Sequence, residues 1–138
     1  LTRWIDQGAI QGVVIAEVPN RRMSGLIEVA LKKVISDRTN WRKMLSGNPQ
    51  SIDLESQKLI YTKYIPDNLI QFFIPDNKVT NINYPVSVYP KKIVSVNFKK
   101  TNLIEGELLG IKGQYLIFDN DRVFNIRSSQ GYFVEFSY

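Results

Sequence analysis

Glu28, Arg3 and Asn40 are the side chains in this sequence whose type and setting could do chemistry. Glu28 lies beside Ser24, Gly25 and Lys32 at the edge of an apolar stripe. A carboxylate there could hold a divalent cation at the rim of a cleft. It could equally form an i,i+4 ion pair with Lys32, worth about 0.2–0.5 kcal/mol. Arg3, next to Trp4, suits either a phosphate clamp or a solvated surface position. Asn40 is most simply a helix cap. The run from Arg38 through Asn40, Trp41 and Arg42 to Lys43 mixes cations, an amide and an indole. Such a mixture can meet a phosphate backbone and a base. It also reads as a capped amphipathic turn with Trp41 turned inward.

Other chemistries are excluded by composition. The 138 residues contain no Cys and no His. Disulfides, thiolate metal sites, cysteine nucleophiles and imidazole bases are therefore ruled out within this chain. Ser24, Ser46, Ser128 and Ser129 have no histidine to activate them. Gly106, Gly110 and Gly113 lack the spacing of a phosphate loop and fall between strands, so they read as bends or bulges. Glu105 and Glu107 could share one strand face toward solvent. Asp119 and Asp121 suit a hairpin turn.

The elements that must position these residues fall into two unlike halves. Apolar residues make up 43% of the chain, enough for a real core. Met23, Leu26, Ile27, Ala30, Leu31, Val34 and Ile35 recur at three- and four-residue steps, which predicts a helix over 21–36 capped by Asn20. A strand over 10–18, a short helix from Trp41 to Leu45 capped by Thr39 or Asn40, and a helix over about 52–64 capped by Ser51 complete the first half. From residue 69 the period shortens to two. Strands are expected over 69–74, 86–89, 93–98, 103–109, 114–118, 122–127 and 132–136, joined by short turns as an antiparallel meander or partly open barrel.

Net charge is +5, with +4 over residues 1–50 and +1 over 51–138. A basic first half could meet a polyanion such as nucleic acid, or be an ordinary solvated surface. There is no membrane-span or signal-peptide pattern, and the expected location is cytoplasmic. The chain opens abruptly at Leu1 and reads as a piece of a longer protein.

Five segments carry a resemblance: TRWIDQGA at 2–9, GLIEVALK at 25–32, DRTNWRKM at 37–44, GELLGIKGQYLI at 106–117 and VFNIR at 123–127, followed by Gly131 and Tyr132. Together they resemble an uncharacterised bacterial family of unknown function along nearly the whole chain. The resemblance implies longer members, with an upstream cysteine-rich, zinc-binding segment and a strand pair. That family is in turn distantly similar to the GIY-YIG nuclease domain. With the elements read above, this second likeness gives an α+β fold: a truncated GIY-YIG-like α/β piece at 1–48, a connecting helix at 49–66 and the β module at 67–138. It implies catalytic roles for Arg3 and Asn40 and a Mg²⁺ or Mn²⁺ ion on Glu28. The ion would stabilise charge on a scissile phosphate, and Arg3 would neutralise the phosphoryl oxygens.

The expectation is a protein that interacts with DNA or RNA, with Arg21, Arg22, Arg38, Arg42 and Lys43 contacting the nucleic acid. The longer protein would cleave phosphodiesters, while this piece alone would be inactive. The alternatives are a non-catalytic nucleic-acid binder and a protein-interaction module presenting Tyr132, Phe133, Phe136 and Tyr138. Self-association through an unpaired edge of the 10–18 strand is a further expectation.

Overall fold

The computed structural model describes residues 2–36, 38–50 and 52–138. The elements are α1 (Thr2–Asp6), β1 (Gln11–Val13), α2 (Arg21–Leu31), α3 (Trp41–Leu45), α4 (Leu54–Thr62), a 3₁₀ helix (Asp67–Phe72), β2 (Val79–Asn81), β3 (Val94–Val96), β4 (Leu108–Lys112), β5 (Tyr115–Phe118), β6 (Arg122–Asn125) and a second 3₁₀ turn (Arg127–Ser129). The class is α+β. Contacts divide the chain into two units. Unit 1 takes Leu1–Ala9, Asn40–Pro49 and Asn83–Tyr138, and unit 2 takes Ile10–Thr39 and Gln50–Ile82. Each unit is therefore discontinuous in sequence.

Unit 2 is built on α2. Asn20 caps it, its side-chain oxygen accepting from the Met23 N–H at 3.1 Å. The regular helix stops at Leu31, shorter than the apolar period predicts, and turns carry the chain on to Ile35. Ile27, Ile65 and Leu69 form the buried core, with Ile15, Val18, Met23, Leu31, Phe72 and Phe73 packed on it. Asp53 caps α4, accepting from the backbone of Glu55 and Ser56. The expected cap, Ser51, lies outside the described residues.

The predicted strand over 69–74 is instead mostly 3₁₀ helix. Pro66 sets the chain into that turn, and the Leu69 N–H donates to its carbonyl at 2.8 Å. The strand partner is supplied further on. β2 pairs antiparallel with β1 as a two-stranded sheet, and the ribbon extends through an Ala16–Phe73 bridge. Among the described residues no strand pairs with the other edge of β1.

Unit 1 holds a four-stranded sheet in the order β3-β6-β5-β4. β4, β5 and β6 form an antiparallel meander, with β4 running through Gly110 rather than over the expected 103–109, but β3 joins β6 in parallel, Val96 opposite Phe124. Alternation of apolar residues encodes which face a side chain takes and carries no strand direction, so pattern alone could not reveal this. Among the described residues the sheet is open and no barrel closes. The segment 85–87 covers the outer edge of β4 through a single bridge, Val86 to Gly110. Gly110 permits that approach: a Cβ there would lie 2.7 Å from the Val86 Cα. The β5–β6 turn places Asn120 and Asp121 at φ 53° and 61°, the left-handed pair of a type I′ hairpin that suits Asn and Asp. The expected strand over 132–136 forms no ladder among the described residues. Leu45, Tyr115, Ile117 and Val123 are the buried core of this unit.

Candidate nucleic-acid interface

α3 is only five residues long and needs outside support, because so short a helix has little stability of its own. Asn40 supplies the cap, its Oδ1 accepting from the Lys43 N–H at 3.1 Å. Leu45 supplies the anchor in the unit 1 core. Trp41 is half-buried and stacks on Tyr115, ring centroids 5.6 Å apart and planes 9° from parallel. The Arg42 guanidinium carbon lies 4.3 Å from the Trp41 ring centroid. Cap, anchor and stack thus hold Arg42 and Lys43 at the surface, where both are exposed.

Arg3 is exposed on α1 in unit 1. Glu28 is exposed on α2 in unit 2 and forms the i,i+4 ion pair with Lys32 at 3.3 Å. Arg21 and Arg22 occupy the first turn of α2, exposed. Arg38 is exposed, and its N–H donates to the Ser36 hydroxyl at 3.2 Å. Among the described residues only Glu28–Lys32 and Asp119–Arg122 form ion pairs, so none of these arginines is neutralised by a described carboxylate. Among the described residues no group of three or more Asp or Glu side chains gathers as a metal site would.

The fold redistributes the charge between segments and leaves its overall division unchanged. Unit 1 carries ten basic and six acidic side chains, a net +4. Unit 2 carries eight and seven, a net +1.

One cluster has no counterpart in the sequence reading. Lys112 is 3% exposed although it ends a strand on which Ile111 faces solvent. Its ammonium donates to the Met44 carbonyl at 2.9 Å and lies 5.7 and 5.1 Å from the rings of Tyr84 and Tyr89. Burial lowers its pKa below the ordinary lysine value. The Tyr84 hydroxyl donates toward the carbonyls of Ala9 at 2.9 Å and Ile5 at 3.2 Å. Burial, then the charge of Asp6 and then Tyr89, raises its pKa. Here the polar residue of an alternating strand points inward, an inversion that no local pattern signals. The cluster ties α1, the end of α3 and β4 together. With the ammonium enclosed, its role is structural.

No described helix is long and apolar enough to cross a membrane. A family model described as "Protein of unknown function (DUF2797)" matches residues 1–134. No curated protein and no solved structure matches the chain.

Proposed function

The chain belongs to the DUF2797 family of proteins of unknown function, a membership that assigns no activity, and we propose that it binds single-stranded nucleic acid through the basic surface of unit 1. The observation that carries this reading is the concentration of charge on that unit, with Arg42 held against Trp41 and Lys43 beside it. A guanidinium on an indole keeps its charge while its geometry is fixed, which suits a phosphate next to a base. Arg3 would add a third phosphate contact.

Binding driven by about three such contacts should lose roughly 20-fold in affinity between about 50 and about 200 mM salt, because condensed counterions are released. Fluorescence anisotropy with a labelled oligonucleotide reads this directly. Arg42→Ala with Lys43→Ala should weaken binding and flatten the salt slope. Salt-insensitive binding, or none, would sink the proposal.

A second reading adds phosphodiester cleavage. It rests on the resemblance to GIY-YIG nucleases and on one observation, that Glu28 is exposed, with Lys32 as its ion-pair partner among the described residues. A single carboxylate can hold Mg²⁺ or Mn²⁺ when waters and substrate phosphates supply the other oxygens. Glu28 would hold the ion, which would supply Lewis-acid stabilisation of phosphate charge. Glu28→Gln should abolish metal-dependent cutting and leave oligonucleotide binding intact. Cutting that survives this change would remove Glu28 from the chemistry.

A further inference from the structure

The parallel pairing of β3 with β6 sends both strands out of the same end of the sheet. Phe98 leaves β3 there, and Lys99 and Lys100 follow it in a turn closed by the Asn97 side chain and carbonyl. Arg127 leaves β6 at that end, at the start of a 3₁₀ turn tied back to Ile126 and forward to Tyr132. Phe98 packs edge-on against Phe124, centroids 5.0 Å apart, and Tyr132 lies against Phe98 at 5.6 Å. Phe124 is buried and Tyr132 is 48% exposed, so the trio runs from core to surface. Phe133, the next residue, is fully exposed at 106%. Asp119 and Asp121 occupy the β5–β6 turn at the opposite end of these strands. Lys99, Lys100 and Arg127 are exposed and make no ion pair among the described residues.

We propose that this sheet end, with Tyr132 and Phe133 flanked by Lys99, Lys100 and Arg127, is a base-stacking platform for single-stranded nucleic acid. The inference rests on the nucleic-acid reading above and names a second, separate contact for the same ligand. Aromatic rings at the surface of a protein are costly to leave wet, and bases stack on them without regard to sequence. Cations on both neighbouring strands then meet the phosphates on either side. The charge complementarity selects this ligand over an apolar partner. Glu135 is the one acid on the tail that follows.

The test uses the full chain and a fluorescein-labelled oligothymidylate, with anisotropy titrations and photocrosslinking of a 5-iodouracil analogue mapped by mass spectrometry. Phe133→Leu and Tyr132→Leu keep an apolar side chain and remove the ring. Phe133 touches nothing that folding depends on, so its variant stays folded. Each ring removed should weaken binding by about tenfold. Lys99→Gln with Lys100→Gln should lower the salt slope, and crosslinks should fall at Tyr132 or Phe133. Unchanged affinity in the ring variants, alongside loss in Arg42→Ala with Lys43→Ala, would overturn the platform and leave the nucleic-acid reading standing. No binding by the unaltered protein would overturn both. A dimer that Phe133→Leu dissolves and that the oligonucleotide leaves intact would assign the tail to self-association and overturn the platform.

Discussion

Leu45→Ala is expected to cost unit 1 about 3 kcal/mol, within the usual 2–5 kcal/mol for truncating a buried leucine. Leu45 has no exposed surface and packs with Tyr115, Ile117 and Val123, so the cavity would be enclosed by strands that cannot collapse onto it. The loss should exceed that of an equivalent change in a long helix for a functional reason. α3 is a single turn and a half, held by one apolar anchor, one Asn40 cap and one aromatic stack. Without the anchor it should fray and take Arg42 and Lys43 with it. Denaturant unfolding should therefore show a lowered midpoint, and oligonucleotide affinity should fall in parallel. Leu45→Met, which conserves volume, should cost less than about 1.5 kcal/mol and preserve binding. A loss below about 1 kcal/mol for Leu45→Ala would show that α3 is held by something else.

Lys112→Ala is expected to destabilise by about 3 kcal/mol, through loss of a buried four-carbon stem and an orphaned Met44 carbonyl. Relief of a buried charge offsets part of this. Lys112→Met refills the space and should cost only about 1–2 kcal/mol, the orphaned carbonyl alone. The pH dependence separates the two contributions. A lysine whose folded pKa lies below its unfolded value of 10.5 is penalised while both states are charged. Stability therefore rises as pH climbs from the lowered folded value toward 10.5. Tyr84 acts with the opposite sign. Its folded pKa lies above the unfolded 10.0, so stability that is fully present below pH 10 declines as pH rises beyond it. Chemical denaturation across the alkaline range should show the rising limb in the unaltered protein and a flatter one in Lys112→Met. Equal slopes would mean that Lys112 keeps its ordinary pKa.

Local chemistry was well legible. The asparagine caps at Asn20 and Asn40 follow from a short side-chain oxygen placed before an apolar helical run, and both bonds form. The β4–β5–β6 meander follows from short turns, and the Asn120–Asp121 turn uses residues that tolerate left-handed backbone. The 69–74 segment was misread because its run of apolar residues fits a strand and a 3₁₀ helix equally. What decided it was the turn following Pro66 and the demand of the Ile27–Ile65 core for Leu69. Glu28, read at the edge of the apolar stripe, is exposed, and its pair with Lys32 follows from helical spacing alone.

The basic first half carried over only in changed form. Sequence order assigned the positive charge to residues 1–50. The fold instead gathers 1–9, 40–49 and 83–138 into one unit and moves most of the charge there. By itself the sequence determined the helix caps, the hairpin turns, the absence of histidine and cysteine chemistry, and the family. Those depend on neighbours a few residues apart or on composition. Only the tertiary structure decided the parallel β3–β6 pairing, the burial of Lys112 and the meeting of Tyr132 with Phe98. Each of these joins residues far apart in the chain, and is settled by which surfaces must leave water together rather than by any local preference.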